Sequence, residues 1–264
     1  MDIIKSKDNS KIKYVRSLSS KKFRDEEHTF VVEGIKFANE ALKEKADIKY
    51  VVISESALNK TEVNLFLECI KENSVDLIAC DDNVFNSIAD TINAQGVLAV
   101  INKKNYFWEE TLKEYNFIIM CDRIQDPGNL GTIIRTADAF GPAAVILNKG
   151  CVDAYNAKVV RASAGAIFRI PIIQSDLDFE ILQELKQASF NIISTVVDST
   201  QSFEDIICSD RICVIIGNEG QGVSQEIINE SHMSITIKMS GRAESLNASI
   251  AAGISIYEIR KKLL

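Results

Sequence analysis

Residues 117–141 read FIIMCDRIQDPGNLGTIIRTADAFG, and this segment carries the clearest indication of the fold class. It begins with the continuous apolar run Phe117–Cys121, which is typical of a strand buried on both faces of a parallel sheet. A DPG turn follows at 126–128, and then helical spacing of apolar residues from about Asn129 to Phe140. A buried strand, a tight turn and a helix in this order predict an α/β domain with a parallel sheet.

The same alternation of strands and helices continues on both sides of this stretch. Towards the C-terminus the sequence predicts four strands and a long last helix: Ala143–Leu147, Phe190–Val197, Ile212–Ile216, Ser234–Ile237, and the helix Ser245–Lys262. Towards the N-terminus it predicts four more strands: Thr29–Glu33, Lys49–Ser54, Asp76–Cys80 and Val97–Ile101. Because residues 103–116 between the two runs are mostly polar, we expect a domain at 1–102, a linker at 103–116 and a second domain at 117–264.

The chain of 264 residues carries 30 Lys and Arg against 37 Asp and Glu, a net charge of −7, and its hydrophobic fraction is 46%. That apolar fraction excludes disorder as the main state. The charge is uneven, because eight basic residues lie among the first 24 against only two acidic ones. A short basic run is either a solvated, frayed terminus or a segment that contacts phosphates, and both interpretations stay open at this point.

Composition also excludes several classes of function. The six cysteines form no CxxC pair and no zinc spacing, so we expect no metal site. The first 18 residues contain no apolar segment typical of a secretory signal, and no window is apolar enough for a membrane helix. We therefore expect a cytoplasmic protein with reduced thiols. With only two histidines, His28 and His232, a mechanism that needs several histidines is nearly excluded.

Three Gly- and Asn-rich segments follow apolar strands, where ligands bind in open α/β sheets. The first is 122–141, in which Asn129 can cap the helix and Arg135 lies three residues before Asp138, so those two can form a surface ion pair. The second, IIGNEGQG at 215–222, matches neither the dinucleotide fingerprint nor a P-loop. The third is 237–258, a loop and a helix predicted to bury four side chains: Leu246, Ile250, Ile254 and Tyr257. Asn247 lies among those apolar positions and needs hydrogen-bond partners if it is buried.

These three segments, in this order and spacing, resemble the three motifs of the SpoU (TrmH-type) RNA ribose 2′-O-methyltransferases of the SPOUT superfamily. The matching residues are Asn129, Gly131, Arg135, Thr136, Ala137 and Asp138; Gly217, Asn218, Glu219, Gly220 and Gly222; and Met239, Gly241, Ser245, Leu246, Asn247 and Ser249. The resemblance covers about 117–262. The first hundred residues are similar to the family's ribosomal-protein-like RNA-binding domain. Lys238 stands where the family usually has proline.

The resemblance implies a C-terminal parallel-sheet domain with a trefoil knot, S-adenosylmethionine as cofactor, and a homodimer formed through that domain. It also implies methylation of a ribose 2′-hydroxyl of RNA. At positions matching the family's motifs, the cofactor-binding residues are Thr195, Gly217, Ile237 and Leu246. The implied catalytic residues are Arg135, Asn129, Glu219 and Asn247.

The chemistry constrains the role of Arg135. The methyl group is already activated on the cofactor, so the protein must align the reacting atoms and deal with the 2′-hydroxyl proton. A guanidinium stays protonated, so Arg135 is a poor general base. We expect it to contact phosphate and stabilise the developing negative oxygen, while water or Glu219 receives the proton. Asn129 would orient Arg135 or the ribose, and Asn247 would position its loop.

The remaining expectations concern which RNA is the substrate and which residues bind it. We expect the N-terminal domain to bind it, with Lys11, Lys13, Lys21 and Lys22 contacting phosphates. That extension favours ribosomal RNA over transfer RNA. The alternatives are a transfer RNA ribose methyltransferase, a noncatalytic RNA-binding or ribosome-assembly factor with the same fold, and an antibiotic-resistance enzyme that modifies ribosomal RNA.

Overall fold

The computed structural model describes residues 2–141, 143–175, 178–207 and 209–263; Cys208 lies outside these ranges. Within them the strands are β1 (Ile3–Ile4), β2 (Thr29–Glu33), β3 (Ile48–Ser54), β4 (Leu77–Cys80), β5 (Val97–Asn102), β6 (Phe117–Asp122), β7 (Ala144–Leu147), β8 (Ile172–Gln174), β9 (Asn191–Thr195), β10 (Ile212–Gly217) and β11 (Met233–Ile235). The helices are α1 (Ser10–Ser17), α2 (Lys21–Glu26), α3 (Ile35–Lys43), α4 (Thr61–Glu72), α5 (Asp82–Asn86), α6 (Trp108–Glu114), α7 (Pro127–Ala139), α8 (Ala157–Ala162), α9 (Asp178–Gln187), α10 (Gln225–Glu230) and α11 (Ala248–Leu263).

The chain forms two compact units. Unit 1 consists of Met1–Asn105 together with Tyr155–Phe168, and unit 2 of Tyr106–Ala154 together with Arg169–Leu264. Residues 103–116, predicted as a linker, contain helix α6. Unit 1 thus combines the N-terminal residues with a later stretch of chain, which includes α8.

Unit 1 is built on a five-stranded mixed sheet in the order β1-β4-β3-β5-β2. Strands β1, β4 and β3 run parallel, and β5 runs antiparallel to both of its neighbours. Helix α1 is anchored to the core by Ile12 and Val15, which are fully or almost fully buried. The interpretation of the basic segment as a frayed terminus is therefore wrong for Ser10–Ser17, because its apolar residues recur at helical spacing and bury against the sheet.

Unit 2 is built on a six-stranded sheet in the order β11-β9-β10-β6-β7-β8, in which every pair is parallel. The α/β fold with a parallel sheet is confirmed here. The central strands β6 and β10 pair from Phe117 opposite Ile212 to Asp122 opposite Gly217. Apart from Gly217, every residue of these two strands is buried, which accounts for their continuous apolar sequences.

Helix α7 begins two residues earlier than the sequence predicts. Asp126 is its N-cap, accepting a hydrogen bond from the backbone N–H of Asn129 at 2.8 Å, and Pro127 occupies the first turn. Proline suits that position because it has no N–H to leave unsatisfied. The prediction of Asn129 as the cap is wrong, and its side chain is free for other contacts.

Helix α11 presents a different face to the core from the predicted one. Its buried residues are Ala248, Ala252, Ser255, Ile256, Ile259 and Arg260. Ile250 and Tyr257 are 53% and 47% exposed, so the prediction that they are buried is wrong. The small residues pack against the protein, and two large apolar side chains remain at the surface.

No helix among the described residues is both long and apolar enough to cross a membrane.

Candidate functional site

The carboxyl ends of three neighbouring strands of unit 2 form the floor of the site. Strand β10 lies between β9 and β6, although it follows both in the chain. Thr195, Gly217 and Asp122 therefore end adjacent strands at one edge of the sheet. The strand order reverses here, and in parallel α/β sheets such a point is the usual place for a ligand.

The loop after β10 is a tight backbone turn. The backbone N–H groups of Asn218 and Gly222 each donate to the other residue's carbonyl, at 3.1 and 2.9 Å. The Asn218 side chain accepts hydrogen bonds from the N–H groups of Gly220 and Gln221 at 2.9 and 3.0 Å. A Cβ atom added to Gly217 would lie 2.1 Å from the backbone nitrogen of Val223. Only glycine fits at 217, because the loop folds directly over that residue.

A cavity of about 540 Å³ opens above these strand ends. Its lining includes all four residues predicted to bind the cofactor: Thr195, Gly217, Ile237 and Leu246. The Thr195 hydroxyl donates to the carbonyl of Ile215 at 2.9 Å, which ties the end of β9 to β10. The volume is that of a small-molecule site.

The lining of the cavity suits S-adenosylmethionine. Apolar side chains such as Val196 and Ile216 offer a surface for a flat aromatic base, and the turned backbone of 218–222 offers polar groups. The carboxylates of Glu219 and Glu244 also line it and complement a positively charged ligand.

Three of the four predicted catalytic residues meet in one hydrogen-bonded chain. The Asn129 side chain is 7% exposed, and its amide Nδ2 donates to Glu219 Oε1 at 2.8 Å. Its Oδ1 accepts from Asn247 Nδ2 at 2.9 Å. Asn247 in turn accepts hydrogen bonds from the backbone N–H and the hydroxyl of Ser249, at the start of α11. Asparagine suits position 129 because one side chain must both donate and accept.

The fourth residue, Arg135, lies outside this chain of hydrogen bonds. It is exposed on α7, six residues beyond Asn129, or roughly 9 Å along the helix axis. Within the described part of the chain its guanidinium has no hydrogen bond or ion pair. Asp138 is held instead by Arg169, with Nη2–Oδ2 and Nε–Oδ2 distances of 2.8 and 3.0 Å, so the predicted Arg135–Asp138 pair is wrong. Arg135 is available to an external anion.

Asp122 and Arg123 support the site and were missed by the sequence analysis. Asp122 is 2% exposed, and its carboxylate accepts hydrogen bonds from the backbone N–H of Ser224 at 2.8 Å and from Arg123. Arg123 donates to Gln221 Oε1 at 3.1 Å, and its carbonyl accepts from Asn218 Nδ2 at 2.8 Å. The pair therefore holds both ends of the turn that lines the cavity. The sequence pattern that could have identified this pair is two charged residues directly after the wholly apolar run Phe117–Cys121.

The thiols beside the strand ends do not act as nucleophiles. Burial raises the pKa of Cys151 to about 11 and raises the pKa of Cys121 well above its usual range. Both are therefore protonated near neutral pH, and a protonated thiol is a poor nucleophile. No cluster of three or more His, Cys, Asp or Glu in the described ranges could hold a metal ion.

The four lysines predicted to contact RNA lie on or beside α1 and α2 in unit 1. The Lys11 ammonium stands 5.6 Å from the centre of the Tyr50 ring. The other three face carboxylates: Lys13 with Asp8 at 2.9 Å, Lys21 with Asp25 at 2.7 Å, and Lys22 with Glu26 at 3.8 Å. Their positive charge is partly neutralised within the protein.

Comparison with known proteins agrees with this geometry. Residues 116–257 match the model of the SpoU rRNA Methylase family, and residues 9–99 match the MRM3-like substrate binding domain. Over 260 residues the chain is 32% identical to the 23S rRNA (guanosine(2553)-2′-O)-methyltransferase RlmP of Bacillus subtilis, an alignment that covers 98% of this chain and 100% of the relative.

Two solved structures share the fold along nearly the whole chain. An AdoMet-bound rRNA methyltransferase from Sinorhizobium meliloti is 29% identical, with a TM-score of 0.85 over 100% of this chain and 98% of that one. The methyltransferase AviRb from Streptomyces viridochromogenes has a TM-score of 0.86 at 23% identity, covering 96% of this chain and 98% of its own, and so supports the fold alone.

Proposed function

The chain belongs to the SpoU rRNA methylase family, and we propose that it methylates a ribose 2′-hydroxyl of ribosomal RNA with S-adenosylmethionine as the methyl donor. It is an enzyme, an RNA 2′-O-ribose methyltransferase. Its relative RlmP acts on 23S rRNA, which supports ribosomal RNA over transfer RNA as the substrate class. The observation that carries the proposal is the cavity at the sheet's switch point, lined by the glycine turn and bordered by the Asn129 hydrogen bonds.

We assign cofactor binding to Thr195, Gly217, Ile237 and Leu246, which all line the cavity. When bound, the cofactor supplies a methyl group already activated on a positively charged sulfur. Gly217 lets the backbone approach closely, and Ile237 and Leu246 exclude water. The carboxylate of Glu219 lies on the same wall and adds electrostatic attraction.

The chain's own residues then handle the 2′-hydroxyl. Arg135 contacts an RNA phosphate and stabilises the negative charge that develops on the oxygen. Glu219 accepts the hydroxyl proton at a carboxylate oxygen. Asn129 holds Glu219 in place through their 2.8 Å hydrogen bond, and Asn247 fixes the orientation of the Asn129 amide.

Two variants test this assignment. Arg135→Ala should lower methyl transfer to an unmodified 23S rRNA transcript by about 100-fold or more, since one lost electrostatic donor costs that much. S-adenosylmethionine binding, measured by calorimetry, should stay within about twofold because Arg135 does not line the cavity. Unchanged methylation by this variant contradicts the role of Arg135.

Glu219→Gln should lower methyl transfer to the same transcript by about 100-fold or more, because a general base contributes about that much to the rate. Methylation at the parent rate by Glu219→Gln contradicts its role as the proton acceptor.

We also propose that the C-terminal domain carries a trefoil knot. Strand β11 lies at the sheet edge beyond β9, whereas α11 packs against β10 and α7. Residues 236–247 must therefore run back across the carboxyl ends of β9 and β10, which supports threading through the preceding loop. An experimental chain trace through residues 196–247 tests it.

We propose a homodimer formed through the same domain. Its support is a set of exposed apolar side chains on and near α7 and α11: Met239, Phe140, Tyr257 and Ile250, which are 38%, 41%, 47% and 53% exposed. The rings of Phe140 and Tyr257 lie 5.6 Å apart, so part of this set forms one patch. Large exposed apolar patches mark protein interfaces.

Ile250→Glu should turn the dimer into a monomer, because a carboxylate buried without a partner in an interface is strongly unfavourable. Sedimentation velocity at micromolar concentration measures the change. Leu65→Glu, which alters an apolar side chain of unit 1 that is 63% exposed, is the control and should leave the mass unchanged. A parent chain that sediments as a monomer overturns the dimer.

We also propose a function for each part of the chain. Residues 1–102 bind the RNA substrate, 103–116 connect the domains, and 117–264 form the methyltransferase domain, apart from Tyr155–Phe168, which folds with unit 1. The match of 9–99 to a substrate binding domain supports the first part, whose ribosomal-protein-like character is our expectation. We place the enzyme in the cytoplasm with its RNA. Five free cysteines among the described residues support a reducing compartment.

A further inference from the structure

We propose that the loop of residues 87–96 in unit 1 (the 87–96 loop) is a contact surface for RNA, with Ile92 packing against an unpaired base and Arg16 and Lys60 beside phosphates. This inference rests on the proposed function, because it names the part of unit 1 that touches the RNA. The observation behind it is that Ile92 is 100% exposed.

Ile92 is exposed on a loop that is firmly held. The Glu33 carboxylate accepts hydrogen bonds from the backbone N–H of Asp90 at 2.6 Å and from both the N–H and the hydroxyl of Thr91. On the other side, Gln95 Oε1 accepts from the N–H of Ile35 at 3.2 Å. Ile92 is thus presented in a fixed position, and a prearranged contact loses less conformational entropy on binding.

Three cations surround this loop. Arg16 Nη2 donates to the Ser87 hydroxyl at 3.0 Å, and Lys60 Nζ donates to the Gln95 carbonyl at 3.2 Å. Arg161 Nη1 lies 2.6 Å from Asp90 Oδ2. Arg16 and Lys60 are exposed and donate to neutral acceptors, and neither forms an ion pair within the described residues. Their positive charge is offset only by the weaker influence of the nearby carboxylates of Asp8 and Asp82, whose pKa values they help to lower. Three of the four lysines near α1 and α2, by contrast, face carboxylates.

An exposed apolar side chain on a loop beside Arg16 and Lys60, which form no ion pair in the described part of the chain, fits RNA better than a protein partner. RNA is recognised mainly at loops and bulges, where unstacked bases offer apolar faces between phosphates. Apolar side chains pack against such exposed faces, while Arg and Lys nearby neutralise the backbone. A protein partner would need acidic groups around an apolar pocket, and nothing in the loop favours that arrangement over the regular charge of RNA.

The test compares full-length variants for binding to an unmodified 23S rRNA transcript by filter binding. Ile92→Ser should weaken binding by about tenfold and leave the salt dependence unchanged, because no charge is lost. Ile92→Phe should retain or strengthen binding by stacking. The double variant Arg16→Gln, Lys60→Gln should lower the slope of log K against log salt by about 1.4 to 1.8. The reason is that each of the two lost phosphate contacts contributes roughly 0.7 to 0.9 to that slope.

Leu65→Ser is the matched control, since Leu65 is an exposed apolar residue of the same unit, and it should bind RNA like the parent. Equal RNA affinity of Ile92→Ser and the parent, with methylation intact, overturns the role of the loop but not the proposed function. If Ile92→Ser weakens binding only to assembled ribosomal subunits, the loop contacts a protein, and this outcome also overturns its proposed role in RNA binding. A parent that neither binds nor methylates rRNA overturns both proposals.

Discussion

At the scale of single residues, the site depends on side chains whose chemistry has no substitute. Asn129 donates to Glu219 and accepts from Asn247, so aspartate or leucine at 129 would break one or both hydrogen bonds. Arg123 has a left-handed φ of 55°, which L-residues seldom adopt, and its side chain holds Gln221. Gly217 has no room for a methyl group. These residues shape the cavity by hydrogen bonding and steric exclusion.

Gly217→Ala should weaken S-adenosylmethionine binding by at least tenfold and destabilise the fold by about 1–3 kcal/mol, because the added methyl forces the turn away from β10. Calorimetry with the cofactor and a thermal melt measure the two effects. Gly220→Ala is the control in the same turn, since its Cβ would lie 3.6 Å from the nearest atom, an ordinary contact. Equal cofactor affinity of the two variants would refute the steric argument.

At the scale of elements, helix ends and helix faces decide where chemistry can occur. Asp126 caps α7, so the side chain of Asn129 is available to the site. Asn247 caps α11 and thereby connects the site to the start of that helix. Helix α1 buries Ile12 and Val15 and leaves its lysines in solvent. The ion pairs of Lys13, Lys21 and Lys22 lower the net charge that α1 and α2 offer to RNA.

Changing Lys11, Lys13, Lys21 and Lys22 together to glutamine should weaken RNA binding by about threefold to tenfold and flatten its salt dependence. The drop in slope should be smaller than the roughly 3 units expected for four free phosphate contacts, because three of the lysines are already paired. Filter binding measures this slope between about 50 and 300 mM salt, a range that includes physiological ionic strength. The control changes Lys43, Lys45 and Lys71, near the C-terminal ends of α3 and α4. An unchanged slope in the fourfold variant would remove these lysines from the RNA surface.

At the scale of the whole molecule, unit 1 is assembled from two separate stretches of chain. Helix α8 packs against β2, and the Phe30 ring lies 4.8 Å from that of Tyr155 and 6.3 Å from that of Phe168. The side chain of Glu40 also packs over Gly165, with Cγ 2.7 Å from the place a Cβ would occupy. The segment Tyr155–Phe168 is therefore part of the folded core of unit 1.

A fragment of residues 1–105 should consequently be less stable than the same fragment joined through a flexible linker to residues 155–168. Loss of the aromatic contacts with Phe30 should cost about 1–3 kcal/mol of unfolding free energy. Urea denaturation followed by circular dichroism measures the difference. A joined fragment in which Tyr155 and Phe168 are both alanine is the control and should lose the part of the gain that the contacts with Phe30 supply. Equal stability of all three would show that the segment adds nothing to unit 1.

Nine of the eleven strands among the described residues follow from the sequence alone, whereas β1 and β8, which are two and three residues long, do not. The motifs also identify the family. Apolar runs such as Phe117–Cys121 identify buried strands, because burial on both faces leaves no polar position. Asn129, Glu219 and Asn247 are identified through the resemblance to the family's motifs, and the structure joins all three by hydrogen bonds. These features are local, and a local pattern can be read from neighbouring residues.

Contacts between residues distant in the chain could be seen only once the chain was folded. Asp138 pairs with Arg169, 31 residues away, and not with Arg135 on its own helix. Spacing predicted that Ile250 and Tyr257 of α11 are buried, but packing against α7 and β10 turned them outward. The exposure of Ile92 and the inclusion of Tyr155–Phe168 in unit 1 likewise depend on which surfaces meet. These contacts depend on the total burial and hydrogen bonding of the folded chain, which cannot be calculated from any single segment of sequence.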